Sequence, residues 1–249
     1  MSRPQPELSI IICGKEDESE LNKTLISLID RITPRYKLEL ILSGFNHQYL
    51  KEVKFKLRNL NFDLCVSEPK GIYNAMNLGL NVSNTKYVLF LNSGDELYSI
   101  ENLNTLLDKI NERSWGYGRI VKIHNQQKIS YSFNPYWSFL HRLGIKYVPH
   151  PAAVLNRELS LKLGGYDENY KVAADQKLLM QFGKNQAPVI VRTPISSFYK
   201  GGVSSLRTNS EIVKDFHSIS IEVYGYIFNN IFIDRYVWKF LAKLRDLVI

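Results

Sequence analysis

Apolar residues follow two rhythms along this chain, and through its first half the two alternate. Compact apolar runs at residues 8–13, 38–42, 62–66 and 87–91 predict strands. Between them Leu21, Leu25, Leu28 and Ile29 recur at helical spacing, and residues 47–58 and 72–82 also read as helices. Nearly continuous apolar strands separated by helices predict an α/β, Rossmann-like fold, with a mostly parallel sheet covered by helices on both faces. In such sheets ligands bind beyond the carboxyl ends of the strands.

The pattern changes near residue 114. From Trp115 the chain is β-rich and aromatic through Tyr136 and Trp137, then strand-like at 152–155 and helical over about 175–182. Lys200, Gly201 and Gly202 make a loop before a helix that starts near Asn209. In the tail Val237, Phe240, Leu241, Leu244, Leu247 and Val248 repeat at helical spacing beside Lys239, Lys243 and Arg245, which predicts a basic amphipathic helix. Such a helix either lies on an anionic membrane surface or docks through its apolar face on the domain or in a dimer. The length of 249 residues suits one large α/β domain, expected at 1–215, with a helical appendage at 216–249.

Composition narrows this picture only slightly. An excess of 32 Lys and Arg over 24 Asp and Glu, a formal charge of +8, attracts anionic partners, whether nucleic acid, anionic lipid or nucleotide phosphate. Cys13 and Cys65 stand far apart without a C-x-x-C partner, which argues against a disulfide framework or a zinc site; both are expected reduced and buried at strand ends. The first apolar run is short and ends in Lys15, Glu16, Asp17 and Glu18, which is no signal peptide. No stretch reaches the roughly 20 apolar residues of a membrane span, so the expected location is the cytoplasm.

The fourth strand runs straight into Asn92-Ser93-Gly94-Asp95-Glu96, which places acidic and polar side chains where a ligand is expected. A carboxylate there suits a hard divalent cation that neutralises a diphosphate. The same residues also suit a simple turn that caps the next helix near Ile100.

Two segments in this region, Gly71-Ile72-Tyr73-Asn74-Ala75-Met76-Asn77-Leu78-Gly79 and Tyr87-Val88-Leu89-Phe90-Leu91-Asn92-Ser93-Gly94-Asp95, resemble the bacterial family 2 glycosyltransferases of the colanic-acid and O-antigen type. Val148-Pro149-His150-Pro151-Ala152, Gly165-Tyr166-Asp167 through Ala174-Asp175, and Phe198-Tyr199-Lys200-Gly201-Gly202-Val203-Ser204 extend the resemblance over about residues 8–215. It implies a GT-A fold and an inverting hexosyltransferase that moves a sugar from a nucleoside-diphosphate sugar to a lipid-linked or lipopolysaccharide-type glycan, usually with Mg²⁺ or Mn²⁺. Residues 1–114 become the nucleotide-sugar half and 115–215 the acceptor-binding, catalytic half.

The resemblance also implies roles. Asp95 matches the metal-binding aspartate, and Asp175 the catalytic carboxylate that accepts the acceptor's proton; as residue chemistry alone, Asp175 also suits a helix N-cap. Cys13, Gly14, Ser43, Gly71, Tyr73, Asn74, Asn77, Ser93, Gly94, Lys200, Gly201 and Gly202 fall at donor-binding positions. His150 falls near the donor phosphates or the acceptor, although a lone histidine is also commonly structural. A protein of this kind would work peripherally on the inner face of a bacterial inner membrane, and no nucleic-acid partner is expected because no recognised binding module is present.

Three acidic positions depart from the family pattern. The second strand ends in Ser43-Gly44-Phe45-Asn46 where Asp-Gly is usual, Lys70 joins Pro69 directly to Gly71, and Asn74 replaces an aspartate. The departures point either to unusual donor recognition or to a degenerate relative that binds a sugar nucleotide or a partner protein.

Overall fold

The computed structural model describes residues 5–124, 127–131, 136, 138–144, 147–199, 209–226, 236 and 240. The first half runs β1 (Leu8–Lys15), α1 (Glu18–Ile29), β2 (Tyr36–Ser43), α2 (His47–Leu57), β3 (Phe62–Val66), α3 (Ile72–Val82), β4 (Tyr87–Asn92), β5 (Glu96–Leu97) and α4 (Ile100–Ile110). The second runs β6 (Trp115–His124), β7 (Gln127–Tyr131), α5 (Ser138–Arg142), a 3₁₀ turn (His150–Ala152), β8 (Ala153–Asn156), α6 (Arg157–Lys162), α7 (Ala174–Asn185), β9 (Val189–Tyr199) and α8 (Asn209–Tyr224).

The strands form one sheet in the order β3-β2-β1-β4-β8-β6-β9-β5, with β7 paired to β6. Strands β1 to β4 are mutually parallel, β8 runs antiparallel to both β4 and β6, and β9 is parallel to β6. β1 to β4, β6 and β9 therefore share one direction, and the short β5, β7 and β8 oppose it. The sheet is mostly parallel, as the unbroken apolar runs predict.

Alternation within the strands divides the core. Leu8, Ile10 and Ile12 of β1 face a cluster built with Leu21, Leu25 and Leu28 of α1 and Leu103 and Leu107 of α4. Ile11 and Cys13 face the other way, onto Met76 and Leu80 of α3 and Leu178 and Phe182 of α7. Helices thus cover both faces, and β1 and β2 bury the polar Ser9, Lys37 and Glu39 beneath them, Lys37 paired with Glu39 at 3.0 Å. Cys65 is only half-buried, because β3 is the last strand on its side of the sheet. His150 sits in the 3₁₀ turn that precedes β8.

α8 continues without a break across the 215/216 boundary drawn from the sequence. Its Phe216, Ile219 and Val223 pack against Ala173 and Met180, and Lys177 of α7 is paired with both Asp167, at 2.6 Å, and Glu222 of α8. The amphipathic tail helix lies outside the described residues apart from Tyr236 and Phe240. Among the described residues no helix is long and apolar enough to cross a membrane.

Candidate active site

A cleft of about 560 Å³ opens at the carboxyl ends of β1 and β4, between the first turns of α3 and α7. One wall is the turn that follows β4. The amide of Ser93 donates to the Cys13 carbonyl (2.8 Å) and that of Asp95 to the Asn92 carbonyl (2.9 Å). From α1, Thr24 Oγ1 donates to the Asp95 carbonyl (2.7 Å) and accepts from the Gly94 amide (3.0 Å). Gly94 holds φ at +98°, a left-handed conformation that favours glycine.

That turn carries Asp95 into the cleft with only 5% of its surface exposed. Burial pushes its carboxyl up to about 7; the Asn92 amide donating to Oδ2 at 3.3 Å opposes the shift, and the nearby Glu20 charge adds to it. Among the described residues no cation pairs with Asp95. The side-chain oxygens of Asn92 and Ser93 are buried beside it without a hydrogen-bond partner. This is a set of hard oxygen donors suited to Mg²⁺ or Mn²⁺. No cluster of three or more potential His, Cys, Asp or Glu ligands exists among the described residues, so phosphate oxygens from a ligand would have to complete the coordination.

The other wall carries Asp175, the second residue of α7. Its Oδ1 accepts from Tyr73 Oη (3.4 Å) and its Oδ2 from Gln176 Nε2 (3.2 Å), a nitrogen that also donates to the Val148 carbonyl (3.0 Å). Asp175 is not the helix cap: Ala173 is, in the left-handed region at φ 78°. Burial, and then the Asp175 charge, push the Tyr73 hydroxyl far up, so it remains a hydrogen-bond donor. His150 is buried beneath this wall, with Nε2 2.8 Å from Tyr166 Oη and its ring stacked on Phe90 at 5.6 Å. Burial drives its pKa down, and Asp175 only partly opposes this, so the imidazole is neutral.

Helix caps separate the two helices at the cleft from α1, α2, α4 and α6. α1, α2, α4 and α6 are capped by the side chains of Asp17, Asn46, Ser99 and Asn156. α3 and α7, whose first turns line the cleft, have no side-chain cap. At α7 the backbone amides of Ala173, Ala174 and Asp175 face the Tyr73 hydroxyl, whereas the first amides of α3 and the positive end of its dipole are turned to the cleft.

The other predicted positions divide. Cys13 and Ser93 line the cleft, and burial pushes the Cys13 thiol up to about 12, which removes it as a nucleophile. Gly14 packs beneath Ser93, Leu42 and Phe45; Gly71 begins α3 at φ +107°; Ser43 ends β2 with its carbonyl accepting from the Glu16 amide (3.1 Å). Asn74 and Asn77 point elsewhere. Asn74 Nδ2 donates to Glu168 (3.1 Å), while Asn77 bonds both the amide and the carbonyl of Tyr166 at 2.8 Å and also Glu168. Lys200, Gly201 and Gly202 lie outside the described residues. Lys15, Glu20, Lys171 and Gln176 line the cleft without having been singled out. Lys15 was findable, since it follows the apolar run of β1 at a carboxyl end.

Sheet order, the aspartate turn after β4 and the acidic start of α7 facing it define the GT-A fold. The Staphylococcus aureus TarS fragment of residues 1–349 in complex with UDP-GlcNAc matches with a TM-score of 0.70 at 18% identity, over 88% of this chain and 67% of that one. The same fragment with UDP gives 0.66 at 17% identity, over 88% and 66%. In sequence, an uncharacterized glycosyltransferase of Mycobacterium tuberculosis is 28% identical over 158 residues, 60% of this chain and 58% of the relative. A PGL/p-HBAD biosynthesis glycosyltransferase of Mycobacterium bovis is 26% identical over 218 residues, 84% and 83%. The chain thus spans 58% of the first relative's length, and no protein-family profile matches it.

Proposed function

We propose that this protein is a glycosyltransferase that takes its sugar from a nucleoside-diphosphate sugar. The observation that carries the reading is the pair of carboxylates in one cleft: Asp95, buried with no cation paired to it among the described residues, and Asp175 at the start of α7. The uncapped start of α3 favours a diphosphate beside it. The named glycosyltransferase relatives and the UDP and UDP-GlcNAc complexes of TarS support the same reading.

In this reading the acceptor hydroxyl oxygen attacks the anomeric carbon while its proton passes to Asp175. The bond from that carbon to the diphosphate breaks, the diphosphate keeps the electron pair, and attack from the opposite side inverts the centre. Asp95, with Asn92 and Ser93, would hold Mg²⁺ or Mn²⁺, which when bound supplies positive charge beside the diphosphate. A lipid-linked or lipopolysaccharide-type acceptor, and work at the inner membrane surface, rest on the sequence of the basic tail. The lost acidic positions at Ser43, Lys70 and Asn74 favour a second reading, a relative that binds sugar nucleotide with little turnover.

Thermal denaturation with UDP, GDP and dTDP sugars, with and without Mn²⁺, tests the proposal, because a ligand bound only by the folded state raises its stability. A rise with one nucleotide sugar that requires Mn²⁺ is expected. No rise with any of them overturns the reading, and a rise without sugar transfer to any glycan acceptor supports the second.

A further inference from the structure

Tyr166 is buried, and among the described residues its hydroxyl has a single hydrogen-bond partner, Nε2 of His150 at 2.8 Å. A phenol hydrogen must point at an acceptor or be stranded in the core, and Nε2 is the acceptor within reach. Were Nε2 protonated instead, it would donate to the Tyr166 oxygen and leave the phenol hydrogen without a partner. The donor count therefore puts the Tyr166 hydrogen on the Nε2 lone pair and the imidazole's own hydrogen on Nδ1.

Among the described residues His150 Nδ1 has no hydrogen-bond partner, yet it is not among the buried unpaired atoms. His150 is 6% exposed and lines the cleft, so this nitrogen is the side-chain polar atom that it presents to a ligand. Two contacts hold the ring in place: the Phe90 stack and the edge of Tyr166 at 5.6 Å. Tyr166 is anchored in turn by Asn77, which bonds both its amide and its carbonyl, and by its stack on Tyr73 at 6.0 Å.

We propose that Tyr166 is a positioning residue that locks His150 in the Nδ1–H tautomer, so that His150 serves as a neutral hydrogen-bond donor to an oxygen of the bound nucleotide sugar. The proposal rests on the glycosyltransferase reading for its ligand, but not for its tautomer. A neutral donor suits this place: it bonds a phosphate or sugar oxygen without competing with Asp175 for the acceptor's proton.

Nitrogen-15 NMR of the histidine rings in the full chain reads the tautomer directly, with His150→Ala assigning the signal. Wild type is expected to show protonated Nδ1 and bare Nε2, and Tyr166→Phe a mixture of tautomers or Nε2–H. Calorimetry with UDP and with UDP-GlcNAc then follows the ligand. Asparagine places an amide N–H near the Nδ1 position and glutamine near Nε2, so His150→Asn is expected to bind within about threefold of wild type, and His150→Gln and Tyr166→Phe roughly five- to tenfold more weakly. A loss seen with UDP as well assigns the donor to a phosphate oxygen, and a loss seen only with UDP-GlcNAc to the sugar; both support the proposal. An Nε2–H tautomer in folded wild type, an unchanged tautomer in Tyr166→Phe, or glutamine outperforming asparagine overturns it. Wild type that binds neither nucleotide while showing the Nδ1–H tautomer overturns the functional reading and the ligand role together, whereas nucleotide binding with an Nε2–H tautomer sinks this inference alone.

Discussion

The hydroxyl of Tyr73 donates to Oδ1 of Asp175 at 3.4 Å, joining the first turn of α3 to the first turn of α7 across the candidate active site. Each residue sits at a helix start without a side-chain cap, so this bond is one of the few that set where the carboxylate points. Tyr73→Phe removes it and keeps the ring stacked on Tyr166. Transfer kcat is expected to fall roughly three- to tenfold, the value of one modest hydrogen bond, with the donor KM within twofold and folding intact. Steady-state kinetics beside a thermal melt check this, and an unchanged kcat removes Tyr73 from the alignment of Asp175.

The raised carboxyl of Asp95 gives the metal-free protein a distinctive pH dependence. Its folded pKa of about 7 exceeds the ordinary value of 3.8, so between those limits the folded state holds a proton that the unfolded state has lost. Stability contributed by this group is therefore fully present below about pH 4, falls as pH rises towards 7, and is flat above. The loss is of the order of a few kcal/mol. Asp95→Asn keeps an acceptor for the Asn92 amide and carries no charge. It is expected to melt several degrees above wild type at pH 8 without metal, to match it near pH 4, and to lose Mn²⁺-dependent stabilisation by nucleoside diphosphate. Melting curves of both proteins from pH 4 to 8 measure this, and parallel pH profiles would refute it.

Sequence patterning reached furthest in the first half, where β1, β2 and β4 alternate with helices and bury both faces. There the runs at 8–13 and 87–91 correspond to β1 and β4, and the carboxyl-end rule led directly to Asp95. It was weakest where a residue's role depends on partners distant in sequence. Asn77 and Tyr166 are 89 residues apart, and no periodicity announces that an asparagine on α3 will clasp that backbone. β8 is a four-residue strand that the strand-like run at 152–155 located to within one residue, but no periodicity marked the 3₁₀ turn before it that holds His150. α8 looked like the start of a tail because its partner surface, Ala173 and Met180, is assembled by α7.

Asn77→Ala tests whether this residue binds the donor or holds the chain that carries Tyr166. Its amide satisfies the Tyr166 backbone on both sides and reaches Glu168, and none of these contacts lies in the cleft. Removing them is expected to cost about 1–3 kcal/mol in urea unfolding, because the Tyr166 amide and carbonyl lose their partner. Nucleotide affinity, measured by calorimetry where the variant is fully folded, should stay within about threefold. A variant of native stability that no longer binds nucleotide would restore Asn77 to the donor site.

Asp175→Asn separates proton acceptance from binding, provided the geometry is controlled. The amide matches the carboxylate in size but accepts through one oxygen only, so its NH₂ must face either Tyr73 Oη or Gln176 Nε2, each a donor in the wild type. A rate loss in this variant therefore mixes a missing base with a donor facing a donor. Making the same change in a Tyr73→Phe background removes one of the two donors and lets the amide oxygen turn to Gln176. If Asp175 is the base, kcat falls by roughly 10² to 10⁴ in both backgrounds while nucleotide affinity barely moves. If the loss came from the clash, the double variant recovers towards the rate of Tyr73→Phe alone. Steady-state transfer beside calorimetric nucleotide binding, run on the two single variants and the double, distinguishes these outcomes, and recovery in the double variant would assign the base to another residue.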